Sequence, residues 1–410
     1  MKRVLVYVCI GIGALAFVAF DVWLIRTVVR RAPPQQGPDR EYALLAELIG
    51  KIPPSRREMV PGDDEIPDVP PVRPKWVKLP PAEPVALSNR VATVWITRPD
   101  DPGAYHDARF DWCGMIARVE YNGHAFFNGP DARHDSKTPY PVFGTAEEFG
   151  FDIPLGFYEV KPGETFIKIG VGEFVKPPNP SWYWWGIPYD IRKPGTWKIT
   201  QGSSWIEYEQ ELDGPLGYGY RYRKRVTLDP ERPVVTISRV LANRGQRRIV
   251  TSHYCHNFIS MDDADTVGPP VSVAFRYLIR PHSNPRFWRT RDIVAPAGNA
   301  LVFAQPLSGA VYMLLTEAPR EASDHWFRVV NPALGSSVTV QGDRPLDRLA
   351  FYTSGSVVCP EPFVKLSIDP GKEEAWETIY TFEADPSKSP ATGTDRTKWR
   401  ETLIKSLPGP

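Results

Sequence analysis

The residues with types and spacing suited to chemistry cluster in a few places. Ser252-His253-Tyr254-Cys255-His256-Asn257-Phe258 carries two histidines beside a thiol, and Glu147-Glu148 places two carboxylates side by side. An imidazole that titrates near neutrality serves as a general acid or base. His-x-x-His beside a cysteine also suggests a metal. In a strand, however, side chains alternate between faces. His256 then shares a face with Val250, Ser252, Tyr254 and Phe258, while His253 points the other way with Cys255 and Asn257. That alternation argues against a shared ion, and neither a metal nor another cofactor is expected. Glu147-Glu148, followed by Phe149-Gly150, reads either as a hydroxyl-binding wall or as a solvated turn. Asp262-Asp263-Ala264-Asp265 falls short of an EF-hand pattern and reads as a solvated turn. No G-x-S-x-G elbow supports Ser-His-Asp catalysis.

The elements that must position these groups are strands. Tyr220, Tyr222, Lys224, Val226 and Leu228 alternate with Arg221, Arg223, Arg225 and Thr227, the period of a half-buried strand. Asp229 to Pro233 breaks it with turn chemistry, since proline fixes φ and cannot donate to a ladder. Val234 to Leu241 follows, then the Asn243-Arg244-Gly245 turn, then a third strand over about Arg248 to Ile259 that delivers the histidines. From Val85 to Phe382 about 15 short strands follow one another with no long amphipathic helix between them. This predicts an all-β fold of large antiparallel sheets packed face to face as a two-sheet sandwich. The final sandwich strands are read as Phe363 to Ile368 and Ala375 to Phe382.

Composition agrees. Pro 44, Gly 31 and 12% aromatics suit many turns and a packed core, and a disordered chain would be poorer in aromatics. The net charge of +1 gives no field for nucleic acid. Of four cysteines, Cys9 lies in an N-terminal apolar run, leaving Cys113, Cys255 and Cys359. No disulfide framework is implied, and whether Cys255 and Cys359 pair stays open. Met1-Lys2-Arg3 precedes the apolar run Val4 to Phe20, which continues through Val22 to Ile25. Residues 1–31 therefore read as a transmembrane anchor or signal segment, with the retained helix favoured because the run continues past Ala14-Leu15-Ala16. Gly11-Ile12-Gly13 opens no βαβ unit and is no dinucleotide fingerprint. Basic residues flank both ends, so the positive-inside rule does not decide orientation. The domain is expected outside the cytoplasm, periplasmic or at the cell surface. Residues 32–84 are a proline-rich tether, 85–385 the sandwich domain and 386–410 a polar tail.

At this point the residues resemble a known family. His256-Asn257-Phe258 after that meander looks like the corresponding segment of galactose mutarotase-like (aldose 1-epimerase-like) proteins. Arg109-Phe110-Asp111-Trp112 with Val119 to His124 resembles the family's opening strands and its Asn-Gly-His turn. Phe143 to Phe149, Lys161-Pro162-Gly163 through Gly172, and Cys359-Pro360-Glu361-Pro362 resemble further segments in the same order. The resemblance implies the β-supersandwich fold, a carbohydrate ligand and anomer interconversion. That reaction needs one group to take the anomeric hydroxyl proton and another to protonate the ring oxygen. On the resemblance, Glu361 is the base and His256 the acid. Asn257, Arg109, Glu148 and Trp184 are the expected substrate-binding residues. Trp184 lies in Pro177 to Trp185, the densest aromatic cluster, whose rings suit the C–H face of a sugar or simply pack as core. The epimerases themselves carry His-x-Tyr-Phe-Asn where this chain has His256-Asn257-Phe258-Ile259-Ser260, and Arg109, His134 and His253 are candidates for their remaining polar ligands. Two alternatives stand beside the isomerase: a carbohydrate-binding envelope protein without turnover, and a polysaccharide lyase or hydrolase on a related sandwich.

Overall fold

Alternation decides the architecture. In the computed structural model, which describes residues 82–127, 142, 144–179, 182–262, 264, 266–281, 293–315 and 321–388, every second side chain from Tyr220 to Leu228 is buried. Lys224 is among them. These strands have one face on a core and one toward solvent, and the sheets they form are antiparallel throughout.

Four sheets account for the described strands. Two small ones hold β1 (Val85–Ser88), β2 (Ala92–Ile96), β3 (Ile116–Tyr121) and β4 (His124–Phe126), and then β6 (Thr165–Lys168), β7 (Gly172–Val175) and β8 (Ile191–Pro194). The five-stranded sheet runs β17-β20-β21-β13-β5: Val311–Leu315, Arg348–Ser354, Val357–Ile368, Ile249–Asn257 and Thr145–Phe149. The ten-stranded sheet opens with β15 (Val294–Ala297), β16 (Ala300–Phe303), β14 (Ser272–Phe275), β18 (Trp326–Asn331) and β19 (Ser336–Gly342). It continues through β22 (Glu373–Ala384), β12 (Val234–Asn243), β11 (Gly219–Leu228), β10 (Trp205–Asp213) and β9 (Thr196–Gln201).

The two large sheets face one another. Phe149 of β5 meets Tyr222 of β11 edge to face at 5.0 Å, and the Tyr380 hydroxyl of β22 donates to Asn257 of β13. One apolar cluster spans both sheets, and a second, rich in aromatics, lies on the other side of the five-stranded sheet. The sandwich expectation holds, with 22 described strands where about 15 were expected. The additions are β1, β4, β5, β7, β8, β15 and β18. They are short, and β5 is buried along its whole length, so it shows no alternation. β21 is also longer than expected: it runs unbroken through Cys359-Pro360-Glu361-Pro362.

Among the described residues no helix is long and apolar enough to cross a membrane. The apolar run Val4 to Ile25, nearly all of the tether, the tail beyond Lys388, His134, Asp263 and Asp265 lie outside the described residues.

Candidate functional site

The site forms where a ladder breaks. β13 pairs with β21 from Ile249↔Ile368 to Tyr254↔Phe363, and Ile259 bridges Val358 further on in the same register. Between these points the partner strand carries Pro360 and Pro362, which have no N–H to give. The Asn257 side-chain amide donates to the Pro360 carbonyl at 2.8 Å across the gap. Within it the register sets His256 across from Glu361, and the His256 Nε2 to Glu361 Oε1 distance is 2.9 Å. His256 is stacked on Phe258 at 4.0 Å and met edge-on by Tyr352 and Phe110. Both groups are almost wholly buried.

Beside this pair lies a charged cluster on the same face. Glu148 sits across from Tyr254 in the β5–β13 register. It accepts from Arg109 Nε at 3.1 Å, Lys168 Nζ at 2.6 Å and the Tyr254 hydroxyl at 2.7 Å. Arg109 also donates through Nη2 to the Tyr254 hydroxyl at 2.9 Å. The segment carrying Arg109 is pinned by backbone bonds: Asp111 N–H donates to Glu147 O, and Trp112 N–H to Gly170 O. Gly170 has φ +83°, and a Cβ there would stand 2.9 Å from the Asp111 side chain, so the close approach requires glycine. The Arg109 guanidinium lies 3.9 Å from the centre of the Trp185 ring and 4.5 Å from that of Phe110.

Of the expected site residues, then, His256, Glu361, Arg109 and Glu148 come together. Asn257 does not: it points to the opposite face, where its amide is taken by Cys255 O and Pro360 O and its oxygen by Tyr380. Trp184 packs against the aromatic cluster next to Trp185, and Trp185 is the ring that covers Arg109. Alternation separates His253 from His256 as expected. His253 faces the sandwich interior and meets Glu147 at 3.2 Å. Among the described residues no group of three or more His, Cys, Asp or Glu side chains is placed to hold a metal. Cys255 and Cys359 are in no disulfide and lie on opposite faces, Cys255 inside the sandwich near Tyr380 and Cys359 in the aromatic cluster with Phe258.

No protein-family model matches the chain, and no curated protein matches it. Solved structures do. A galactose mutarotase-like protein from Clostridium acetobutylicum is 11% identical with a TM-score of 0.48, covering 74% of this chain and 96% of its own. One from Lactobacillus casei is 10% identical at 0.41, covering 73% and 100%. A galactose 1-epimerase from Lactobacillus acidophilus is 11% identical at 0.41, covering 73% and 94%. The structural neighbours are galactose mutarotase-like proteins.

Electrostatics distributes one proton between the two facing groups. Burial pushes the Glu361 carboxyl up to about 8, with Arg109 opposing and the Glu148 charge adding to the rise. Burial, and then the Arg109 charge, push His256 well below its ordinary value. Both directions make Glu361 the donor and neutral His256 Nε2 the acceptor. For Glu148, burial acts to raise the carboxyl, but Lys168 and Arg109 outweigh it and hold it ionised. This cluster therefore holds a base and an acid in hydrogen-bond contact, with a guanidinium whose charge is felt by both. Sequence reasoning missed Lys168 and Tyr254, and from the Pro177 to Trp185 aromatic cluster it singled out Trp184, whereas Trp185 is the ring over Arg109. The signal for Lys168 was a lone lysine in the apolar run Phe166-Ile167-Lys168-Ile169.

Proposed function

We propose that the chain binds a sugar against the β13–β21 break and interconverts its anomers by general acid–base catalysis. One observation carries this reading: His256 and Glu361 face each other at 2.9 Å on one side of the sheet, with Arg109 beside them. A sugar entering there replaces their mutual hydrogen bond. Moving the shared proton to the imidazole leaves a Glu361 carboxylate and a His256 imidazolium. The carboxylate takes the anomeric hydroxyl proton and the imidazolium protonates the ring oxygen. The C1–O5 bond breaks, C1–C2 rotates, and reclosure on the other face returns both protons. Arg109 orients hydroxyls during this exchange.

A second reading, carbohydrate binding without turnover, is favoured by the same pair satisfying each other while almost fully buried. Hydrolysis of a polysaccharide has less support. It needs a second available carboxyl, and both oxygens of Glu148 are already engaged by three donors. The membrane tether and the extracytoplasmic placement rest on the apolar run Val4 to Ile25 alone. Protease cleavage of the domain in intact cells would support that placement, and protection until lysis would reject it.

Anomer exchange followed by NMR on the purified full-length chain, across a panel of aldoses, tests the enzyme reading. Exchange above the uncatalysed rate, reduced by about 10²-fold or more in Glu361→Gln and in His256→Asn, is the expected result. Sugar-specific shifts without acceleration support the binding reading in its place, and sugars that neither shift nor exchange faster sink both.

A further inference from the structure

The charged groups on this face differ in their access to solvent. Glu148 and Lys168 are sealed, and the side chains of His256 and Glu361 are 1% and 7% exposed. Arg348 of β20 and Asp152, which follows β5, are 31% and 44% exposed. Exposure falls from this pair inward, which makes it a rim of the site. The register puts Arg348 across from Phe363 and Ala350 across from Glu361. Arg348 therefore stands on the same face as Glu361, displaced by two residues, roughly 6.6 Å, along the strand. Ala350, the next residue on that face of β20, carries nothing beyond a Cβ that could stand between them.

The pair is tied to the inner site. The Arg348 guanidinium lies 4.0 Å from the centre of the Phe363 ring, and Phe363 stacks at 4.2 Å on Tyr254, the donor to Glu148. The Arg348 charge also reaches Glu361, where it opposes the rise of the carboxyl. Among the described residues, however, the guanidinium makes one hydrogen bond, from Nη2 to Asp152 Oδ2 at 2.7 Å. Nε, Nη1 and the second Asp152 oxygen remain to serve a solute. Donors and an acceptor side by side match two neighbouring hydroxyls, one accepting a hydrogen bond while the other gives one. They do not match an anion, because Asp152 already answers the arginine charge and would repel a carboxylate or a phosphate. We propose that Arg348 and Asp152 bind a vicinal diol of a neutral sugar, the hydroxyls at C3 and C4, at the end of the ring away from the anomeric carbon at Glu361. The inference rests on the sugar site proposed above and adds the class of sugar that it takes.

NMR titration of the full-length chain with D-glucose and with D-galactose, which both carry that diol, measures affinity apart from turnover. Asp152→Ala and Arg348→Met are each expected to weaken binding of the hexose that the wild type takes by about 10-fold or more, the worth of a hydrogen bond to a charged group. Asp152 is exposed, and its variant decides alone should Arg348→Met fail to fold. The 3-deoxy and 4-deoxy analogues separate recognition from packing. The analogue lacking the hydroxyl that Asp152 holds should bind the wild type and Asp152→Ala equally, whereas a general loosening of the site would weaken every sugar alike. Variants that bind as the wild type does, or an Asp152→Ala loss that persists with both analogues, overturn the proposal. So does binding of D-glucuronate or D-galacturonate in place of the neutral hexoses, and so does a chain that binds none of these sugars. Where the wild type binds a hexose without speeding its anomer exchange, the mutarotase reading falls and the affinities still decide the role of the pair. Where exchange is fast and the variants bind normally, the role of the pair falls alone.

Discussion

Glu147 and Glu148 are neighbours on β5, and each is held by two cations on opposite faces of the same sheet. Glu147 points into the sandwich, where Arg239 grips it through Nε at 2.8 Å and through Nη2, and Lys224 Nζ stands 3.2 Å away. Glu148 points out to the candidate site, between Arg109 and Lys168. A strand buried on both sides makes this possible, because successive side chains leave it in opposite directions. The inner cluster fastens β5 to β11 and β12 of the facing sheet. The outer one organises the charges around Glu361. One two-residue sequence therefore supports both the fold and the chemistry.

Removing only one partner of a buried ion pair leaves the other uncompensated, at a cost of about 3–5 kcal/mol. Glu147→Gln strands Arg239 between the sheets and leaves Lys224 with Asp111 at 3.6 Å, and its stability in denaturant unfolding should fall by about that amount. Because Glu147 is on the far face, the Glu361 titration should not move. Glu148→Gln should lower the midpoint of the Glu361 carboxyl, read by carbon-13 NMR, because the Glu148 charge adds to its rise. A Glu361 shift of equal size in both variants would show that the two faces are not electrically separate.

The raised Glu361 carboxyl makes stability depend on pH with a definite sign. The folded state keeps the proton up to about 8, while the unfolded chain loses it near the ordinary value of 4.5. Between these values the folded state binds more protons, so stability falls as pH rises, by up to about 1.4 kcal/mol per unit. Glu361→Gln lacks this dependence. Its stability relative to wild type should therefore improve steadily with pH across that window. His256 acts in the opposite sense, costing stability as pH falls below 6.5, because its folded form resists protonation. Parallel curves for wild type and Glu361→Gln would show that the carboxyl is not proton-bound in the folded state.

What could be read from the sequence followed where one face of a strand meets solvent. The alternation in β11 predicted the inward Lys224, and that in β13 predicted the opposed His253 and His256, because a half-buried strand writes its faces into its composition. β5 could not be read this way. It is buried on both sides, so Thr145-Ala146-Glu147-Glu148-Phe149 carries no period, and its carboxylates passed for one wall of a site or a turn. Glu361 was placed by resemblance, while its prolines suggested that the strand began only at Phe363. The structure keeps the strand and lets the prolines break only the hydrogen-bonded ladder. Lys168 and Trp185 owe their roles to contacts made across distant segments, which no local pattern encodes.

Cys255 and Cys359 lie on neighbouring strands but on opposite faces, so no rotamer brings their sulfurs together. Cys113 is buried and in no disulfide either, so the described domain should depend on none. Denatured without reductant, the chain should alkylate at all three positions, and reductant should leave the unfolding midpoint of the native protein unchanged. Protection of Cys255 and Cys359 from alkylation would contradict the register of β13 on β21.

Trp185 lies over the Arg109 guanidinium, with the ring centre 3.9 Å from the carbon of that group. A cation over an indole face in a desolvated setting gains about 2 kcal/mol, and tryptophan exceeds phenylalanine in this respect. Trp185→Leu keeps most of the bulk but loses the face, and should cost about 2 kcal/mol in unfolding. Trp185→Phe should cost less, because a phenyl face restores part of the attraction. Charge, as opposed to packing, sets this order: Arg109→Met, which removes the cation, should make the leucine and phenylalanine variants nearly equal when introduced into both. If the difference between Leu and Phe persists without the arginine, Trp185 contributes by filling space alone, and the guanidinium is held by Glu148 and Tyr254 without it.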